Sequence, residues 1–226
     1  MGRRKPSRGD GQRKPKKKLP RNIVLIFCEG KTEENYLKAF RKSLDIAVGN
    51  ARIEVIDAGG EGDANKIWEQ ARKKFRNLDK FEQDLAKIWL VYDCEPHDPK
   101  RYLIGKQVYQ KIGGHGSPEP KDTRDKRREF ASVSWPSFET WLLMHHEKDV
   151  LSGLDTPGKA KTAFEKLYWP LPEIRFKELA PRLERAKATS SRLWKQSKKD
   201  EPYPIAKATS VHLLIEHMET LQTPFY

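Results

Sequence analysis

Asn22-Ile23-Val24-Leu25-Ile26-Phe27-Cys28-Glu29-Gly30-Lys31-Thr32 is the stretch whose reading decides the fold. Its apolar residues run without alternation, as in a strand buried on both faces of a parallel sheet, and Glu29-Gly30 stops the run in a turn. Thr32 can cap a helix there. From Glu33 the apolar positions Tyr36, Leu37, Phe40 and Leu44 recur at helical spacing, which predicts a helix to about residue 46. Residues 52–58 alternate, with Ile53 and Val55 on one face, and Gly59-Gly60 breaks them, so they form a second expected strand. Residues 63–78 set Ile67, Trp68, Ala71 and Phe75 on one helical stripe, and residues 88–92 are a second continuous apolar run that ends at Asp93-Cys94-Glu95-Pro96. The order β-α-β-α-β, with crossovers long enough for parallel pairing, predicts an α/β fold with a mostly parallel sheet flanked by helices.

Outward from this nucleus, residues 99–112 suit a helix, 113–128 a loop rich in Gly, Pro and charge, 130–133 a fourth strand and 137–147 a helix carrying Trp141, Leu142 and Met144. Beyond residue 158 the pattern is helical but broken by Pro170, Pro172, Pro181, Pro202 and Pro204, and it closes on a helix over 211–221. Three parts are expected: a disordered basic arm over 1–21, an α/β core over 22–150, and a helical C-terminal extension over 151–226 packed on that core.

Charge sharpens the division. The 226 residues carry a formal net charge of +13, yet residues 1–21 alone hold ten basic side chains against one acid. Arg3, Arg4, Lys5, Arg13, Lys14, Lys16, Lys17 and Lys18 in this arm are the expected nucleic-acid contacts, made through phosphates without base readout because the arm has few aromatic residues. The second helix adds Lys66, Arg72, Lys73, Lys74 and Arg76, and the loop at 113–128 adds Lys121, Arg124, Lys126, Arg127 and Arg128. No apolar run approaches the roughly 20 residues of a membrane span, and no apolar segment follows the basic N-terminus as in a signal peptide. The expectation is a cytoplasmic protein with reduced thiols, since two cysteines make no disulfide framework.

Gly30-Lys31-Thr32 after a buried strand invites comparison with a phosphate-binding P-loop, but that loop needs a glycine where this chain has Leu25, and Glu29 would repel a triphosphate. The placement of acids is more informative. Glu29 follows the first buried run and Asp93 and Glu95 follow the third strand, so all three fall at carboxyl ends of parallel strands, where open α/β sheets place their sites. In extended backbone Asp93 and Glu95 would face one side. Three converging carboxylates repel one another, and a hard divalent cation such as Mg²⁺ removes the conflict. The ordinary alternative is that strand-end acids are solvated turn residues or caps.

Phe27-Cys28-Glu29-Gly30-Lys31-Thr32-Glu33-Glu34-Asn35-Tyr36 resembles the opening motif of the RloB-like family of the Toprim superfamily. Val91-Tyr92-Asp93-Cys94-Glu95 is similar to its second motif, the run from Pro136 to His145 to a further one, and Thr209-Ser210-Val211-His212-Leu213-Leu214 to a weaker fourth. The resemblance implies a Toprim-like sheet and a metal-dependent nuclease associated with phage defence, encoded beside an ATPase of the ABC or AAA type. It implies that Glu29 acts as general acid or base, or joins the metal site, and that Asp93 and Glu95 hold Mg²⁺ or Mn²⁺. The family's usual second motif is Asp-x-Asp; Glu95 is one methylene longer.

Two accounts stand for Glu139 and His145. Either residue completes the site as a further metal ligand or proton carrier, or the segment is core packing with a histidine pair whose charge suits a helix C-terminus. Cys28 and Cys94 are expected to be buried fillers, and the scattered histidines show no zinc spacing. The leading functional expectation is a nuclease effector of abortive infection. Its competitor is a non-catalytic nucleic-acid-binding subunit of an ATPase-containing defence complex.

Overall fold

Strands Asn22–Cys28 (β1), Ala51–Asp57 (β2), Ala86–Asp93 (β3) and Glu129–Ser134 (β4) pair in parallel in the order β2-β1-β3-β4. The structure, a computed structural model, describes residues 20–46, 50–59, 63–113, 128–146, 151–168, 176–197, 203 and 208–222. The α/β reading of the sequence therefore holds. The expected arm at 1–21 and the expected loop at 113–128 lie almost wholly outside the described residues; at the far end of the loop, Arg128 pairs with Asp84 at 3.3 Å.

Lys31–Ser43 (α1), Ala64–Arg76 (α2), Lys80–Leu85 (α3), Pro99–Lys111 (α4) and Glu139–Leu143 (α5) flank the sheet, followed by Pro157–Tyr168 (α6), Phe176–Leu179 (α7), Leu183–Ser197 (α8) and Val211–Glu219 (α9). The period-2 geometry of strands sorts the core into two layers. Val24, Ile26 and Cys28 of β1 with Trp89 and Val91 of β3 face Tyr36, Leu37 and Phe40 of α1 and residues from α5, α7 and α9. Ile23, Leu25 and Phe27 with Ile88, Leu90 and Tyr92 face Ile67 and Ala71 of α2 and Val108 and Tyr109 of α4. The helices beyond residue 151 thus share a core with the sheet.

Topology follows from these layers. The chain leaves β1 through α1 on one face, and leaves β3 through α4 on the other, so the strand order reverses between adjacent β1 and β3. In open α/β sheets that reversal opens a crevice beyond the strand carboxyl ends.

Two local expectations are corrected and one helix is added. Thr32 does not cap α1: Gly30 holds the cap position, and Glu33 folds back so that its Oε2 accepts from the Gly30 N–H at 3.1 Å. The helix expected over 137–147 is only α5, ending in a turn. His145 explains the stop, because its Nδ1–H takes the Trp141 carbonyl at 3.1 Å, leaving its own backbone N–H to bond the Leu142 carbonyl. Helix α3 lies outside the elements that periodicity predicts; Asp79 starts it by accepting from the Glu82 N–H at 2.7 Å.

Gly105 fixes α4 against the sheet. A Cβ there would lie 2.5 Å from the Tyr203 hydroxyl and 3.2 Å from a Tyr92 ring carbon, both side chains being buried. On helix propensity alone Gly105→Ala would gain about 1 kcal/mol. We expect instead a loss of about 1–3 kcal/mol from overpacking, measured as a lowered urea midpoint with an unchanged slope.

Candidate active site

The pairing register sets the strand-end acids along one edge of the sheet. Cys28 lies beside Val91, so β3 runs two residues past β1, and the Glu29 N–H continues the ladder to the Val91 carbonyl at 2.9 Å. Glu29 then turns its side chain across the strand ends, where its Oε2 accepts from the Asp93 N–H at 3.0 Å. Asp93 is the last residue of β3, and the Cys94 N–H bonds the Ser134 carbonyl at 2.8 Å. The chain then leaves the extended region. Glu95 adopts φ 43°, a left-handed conformation that costs a non-glycine residue about 1–2 kcal/mol. The expected strand alternation therefore does not place Glu95; the turn does, and leaves its carboxylate sharing Arg101 with Glu29.

Arg101 joins them. It stands in the first turn of α4, which Asp98 starts by accepting from the Lys100 and Arg101 N–H groups at 3.0 and 3.1 Å. Its guanidinium forks across both Glu95 oxygens, one at 2.6 Å, and also pairs with the Glu29 Oε1. A planar five-donor group suits this bridging, because its N–H vectors reach two carboxylates at once.

Two further acids belong to the same electrostatic unit. Glu33 in α1 is buried, as its bond to Gly30 requires, and Glu139 at the start of α5 accepts from the Ser137 hydroxyl at 2.7 Å. Burial pushes the Glu33 carboxyl up to about 7, with Glu139 and Glu29 adding repulsion. Glu29 is also pushed up to about 7, first by burial, against the Asp93 N–H and Arg101, which favour its charged form. Asp93 is driven well above the usual carboxylate range by burial and by the surrounding Glu33, Glu29, Glu139 and Glu95. Its Oδ1 is shielded from solvent without a hydrogen-bond partner.

The N-termini of α1, α2 and α4 all follow strand carboxyl ends and turn their positive poles toward this edge. Their pull does not offset burial fully, which is why Glu29 and Glu33 hold protons to about 7.

His145 lies elsewhere. It is buried against Tyr36 and Trp141, and with Nδ1–H donated to the Trp141 carbonyl its Nε2 accepts from the Tyr36 hydroxyl at 3.2 Å. Burial lowers its pKa to about 4, so the ring is neutral at physiological pH and supplies no cation to a helix end. Cys28 and Cys94 are buried free thiols whose pKa values burial raises.

The donor set fits a hard divalent cation in kind: Glu29, Asp93 and Glu95 offer oxygen ligands, and the orphaned Asp93 Oδ1 is a buried acceptor in need of a partner. Among the described residues no three His, Cys, Asp or Glu side chains are already gathered as a ligand set. Arg101, seated in the carboxylates, supplies a cation of its own. Sequence reasoning missed Arg101 and Glu33. A basic residue in the first turn of a helix six positions after Glu95, and an acid three positions after the Gly30 cap, were the available signals.

A family model described as RloB-like protein matches residues 24–218. The chain belongs to the RloB-like family. Comparison with the curated proteins and with the solved structures finds no match. The match takes in nearly the whole sheet, every acid of the cluster and Arg101, and it ends within α9, so this RloB-like chain carries its site and both core layers inside the family region.

Raised carboxyl pKa values fix a pH dependence. Glu29 and Glu33 hold protons to about 7 when folded and release them near 4.3 when unfolded. Their contribution is therefore fully present below the unfolded value and is lost as pH rises through about 7. Melting temperature in chelator should fall between pH 5 and pH 8, by about 2–4 °C per kcal/mol lost. Glu33→Gln, which cannot ionise, should flatten that fall in differential scanning calorimetry.

Proposed function

We propose that this RloB-like chain is a metal-dependent nuclease of Toprim type that hydrolyses nucleic-acid phosphodiesters as an effector of defence against phage. The observation that carries the reading is that, at the strand-order reversal, Glu29 accepts from the Asp93 backbone N–H and shares Arg101 with Glu95, beside an Asp93 acceptor atom without a partner. An isolated turn acid would be solvated. These are drawn into the fold, with Glu29 held by the Asp93 N–H and Glu95 by Arg101.

Mg²⁺ or Mn²⁺ would be held by Asp93 and Glu95 with Glu29 beside them, and when bound it supplies charge neutralisation at the scissile phosphate and a polarised water. Glu29 manages the proton. Its carboxyl, raised to about 7, can both release and take up a proton at physiological pH, as a general acid or base requires. The Asp93 N–H fixes one Glu29 oxygen and Arg101 the other, so the carboxylate is oriented before substrate arrives. Burial, with Glu95 beside it, is what raises the Glu29 proton affinity. Water is the nucleophile; relaxation or religation would require a tyrosine presented from elsewhere. The chain would work in the cytoplasm with an ABC- or AAA-type ATPase partner.

The Arg101 bridge favours a second reading: the carboxylates and the guanidinium form a self-neutralised structural cluster in a non-catalytic nucleic-acid-binding subunit of an ATPase-containing complex. Incubation with plasmid DNA, single strands and tRNA in Mn²⁺ separates the two. The nuclease reading expects cleavage that Glu29→Gln and Asp93→Asn each lower by about 10²–10⁴-fold. It also expects Mn²⁺ to raise the melting temperature of the native chain and not of Asp93→Asn. Cleavage indifferent to both substitutions sinks the mechanism, and absence of both cleavage and Mn²⁺ stabilisation supports the structural cluster.

A further inference from the structure

Helices α2 and α4 lie side by side on one face of the sheet and are charged almost entirely with one sign. Over Ala64–Arg76 and Pro99–Lys111 they carry Lys66, Arg72, Lys73, Lys74, Arg76, Lys100, Arg101, Lys106 and Lys111 against the single acid Glu69. The helices toward the opposite face are more mixed: α1 sets Lys31, Lys38, Arg41 and Lys42 against Glu33 and Glu34, and α9 is acidic. Although α8 carries Arg185, Lys187, Arg192 and Lys195 against Glu184, its Lys187 is paired with Glu184 and with Glu219 of α9. Lys74 reaches across to Glu54, and Arg101 to the acid cluster. Lys66, Arg72, Lys73, Arg76, Lys100 and Lys111 are exposed.

The crowding is built in. Trp68 lies half-buried between the helices and carries two cations on its ring, Arg72 from its own helix at 5.1 Å and Lys111 from α4 at 5.6 Å. Its Nε1–H is tied to Glu129 at 3.2 Å, so the ring is anchored and its π face is given to the cations. An aromatic face can hold a cation without neutralising it. Like charges gathered in this way raise the energy of the isolated fold and lower it again when a polyanion arrives.

We propose that the outer face of α2 and α4 is a docking surface for the phosphate backbone of a nucleic-acid duplex. The inference rests on the nuclease reading and deepens it by placing the substrate. Both helices begin at the carboxyl edge of the sheet: Arg101 of α4 touches Glu29 and Glu95, and the α2 cap Asp63 acts on Glu29. A duplex lying along the two helices therefore has its backbone led to the acid cluster. Trp68 is covered by its two cations and is not free to stack a base, so this ring offers an unstacked single strand no platform and the face binds phosphates and not sequence.

Binding of a fluorescein-labelled 30-base-pair DNA duplex, measured by anisotropy over a salt series in chelator, tests this. All chains keep residues 1–21 and carry Glu29→Gln, so the arm contributes equally and no cleavage intervenes. Arg72→Gln, Lys73→Gln, Arg76→Gln and Lys111→Gln combined should reduce the slope of log affinity against log salt by about 2–4, at roughly 0.9 for each phosphate no longer neutralised. Lys42→Gln, Lys161→Gln, Lys166→Gln and Lys177→Gln combined remove the same charge from the opposite face and should leave the slope nearly unchanged. Lys73→Arg with Lys111→Arg should retain it, and melting curves report whether each chain is folded.

Equal slope loss in both fourfold variants would overturn the surface in favour of net charge alone. Displacement of the duplex by poly-glutamate at matched charge as readily as by unlabelled duplex would assign the face to an acidic protein and also overturn it. The two proposals fail separately. Face-specific slope loss in a chain whose Glu29 form cleaves nothing keeps the surface and removes the nuclease, whereas Glu29-dependent cleavage with an unaltered slope does the reverse.

Discussion

Burial of carboxylates at the ends of β1 and β3, compounded by their mutual repulsion, is the constraint around which this structure is arranged. Two unit charges about 4 Å apart at an effective dielectric near 20 repel by about 4 kcal/mol, and here Glu29, Glu33, Asp93, Glu95 and Glu139 act on one another. Each remedy has a place in the fold. Arg101 neutralises two acids, the N–H groups of Gly30 and Asp93 each hold one, three helix N-termini face the edge, and retained protons meet the remainder. Gly30 belongs to the same solution. A Cβ there would lie 3.1 Å from the Glu33 Oε2 and would press the carboxylate away from the N–H that holds it.

Support for this edge extends well beyond it. Arg101 can bridge Glu29 and Glu95 only if α4 sits at a fixed height on the sheet, and that height is set by Gly105 against Tyr92 and Tyr203. Tyr92 returns a hydrogen bond from its hydroxyl to the Gly105 carbonyl at 3.1 Å. Tyr203 in turn packs edge-on against Tyr102 and Tyr109 of the same helix. A residue from the C-terminal half thus helps place a side chain of the candidate site.

Much of this is legible in the chain because strands buried on both sides leave an unmistakable mark. The runs at 23–28 and 88–92 locate β1 and β3, and therefore the acids at their ends. The features that stay hidden depend on turns and on side chains reaching between elements. The left-handed conformation of Glu95 carries no glycine to announce it, so alternation wrongly predicts that strand geometry unites Asp93 and Glu95. Arg101 resembles any helix-surface cation until the α4 start is placed beside β3. The segment around Glu139 is buried almost throughout and lacks a polar face, so periodicity does not show that α5 stops after five residues. His145 is near Glu139 in sequence, whereas the fold turns it toward Tyr36 in the core.

Formal charge alone conceals how the body is polarised. Acids gather inward at one sheet edge, while the cations of α2 and α4 face outward immediately beside them. Helix α4 takes part in both arrangements: its first turn supplies the guanidinium within the carboxylates, and its outer side carries Lys100 and Lys111. A phosphate chain drawn to that outer side would approach the acid cluster from its cationic rim, and would offer Arg101 an alternative anion. Release of Arg101 from Glu29 and Glu95 would leave those carboxylates more negative and more ready to take a divalent cation. On the proposed nuclease reading, phosphate docking and metal capture would then favour one another through a single arginine.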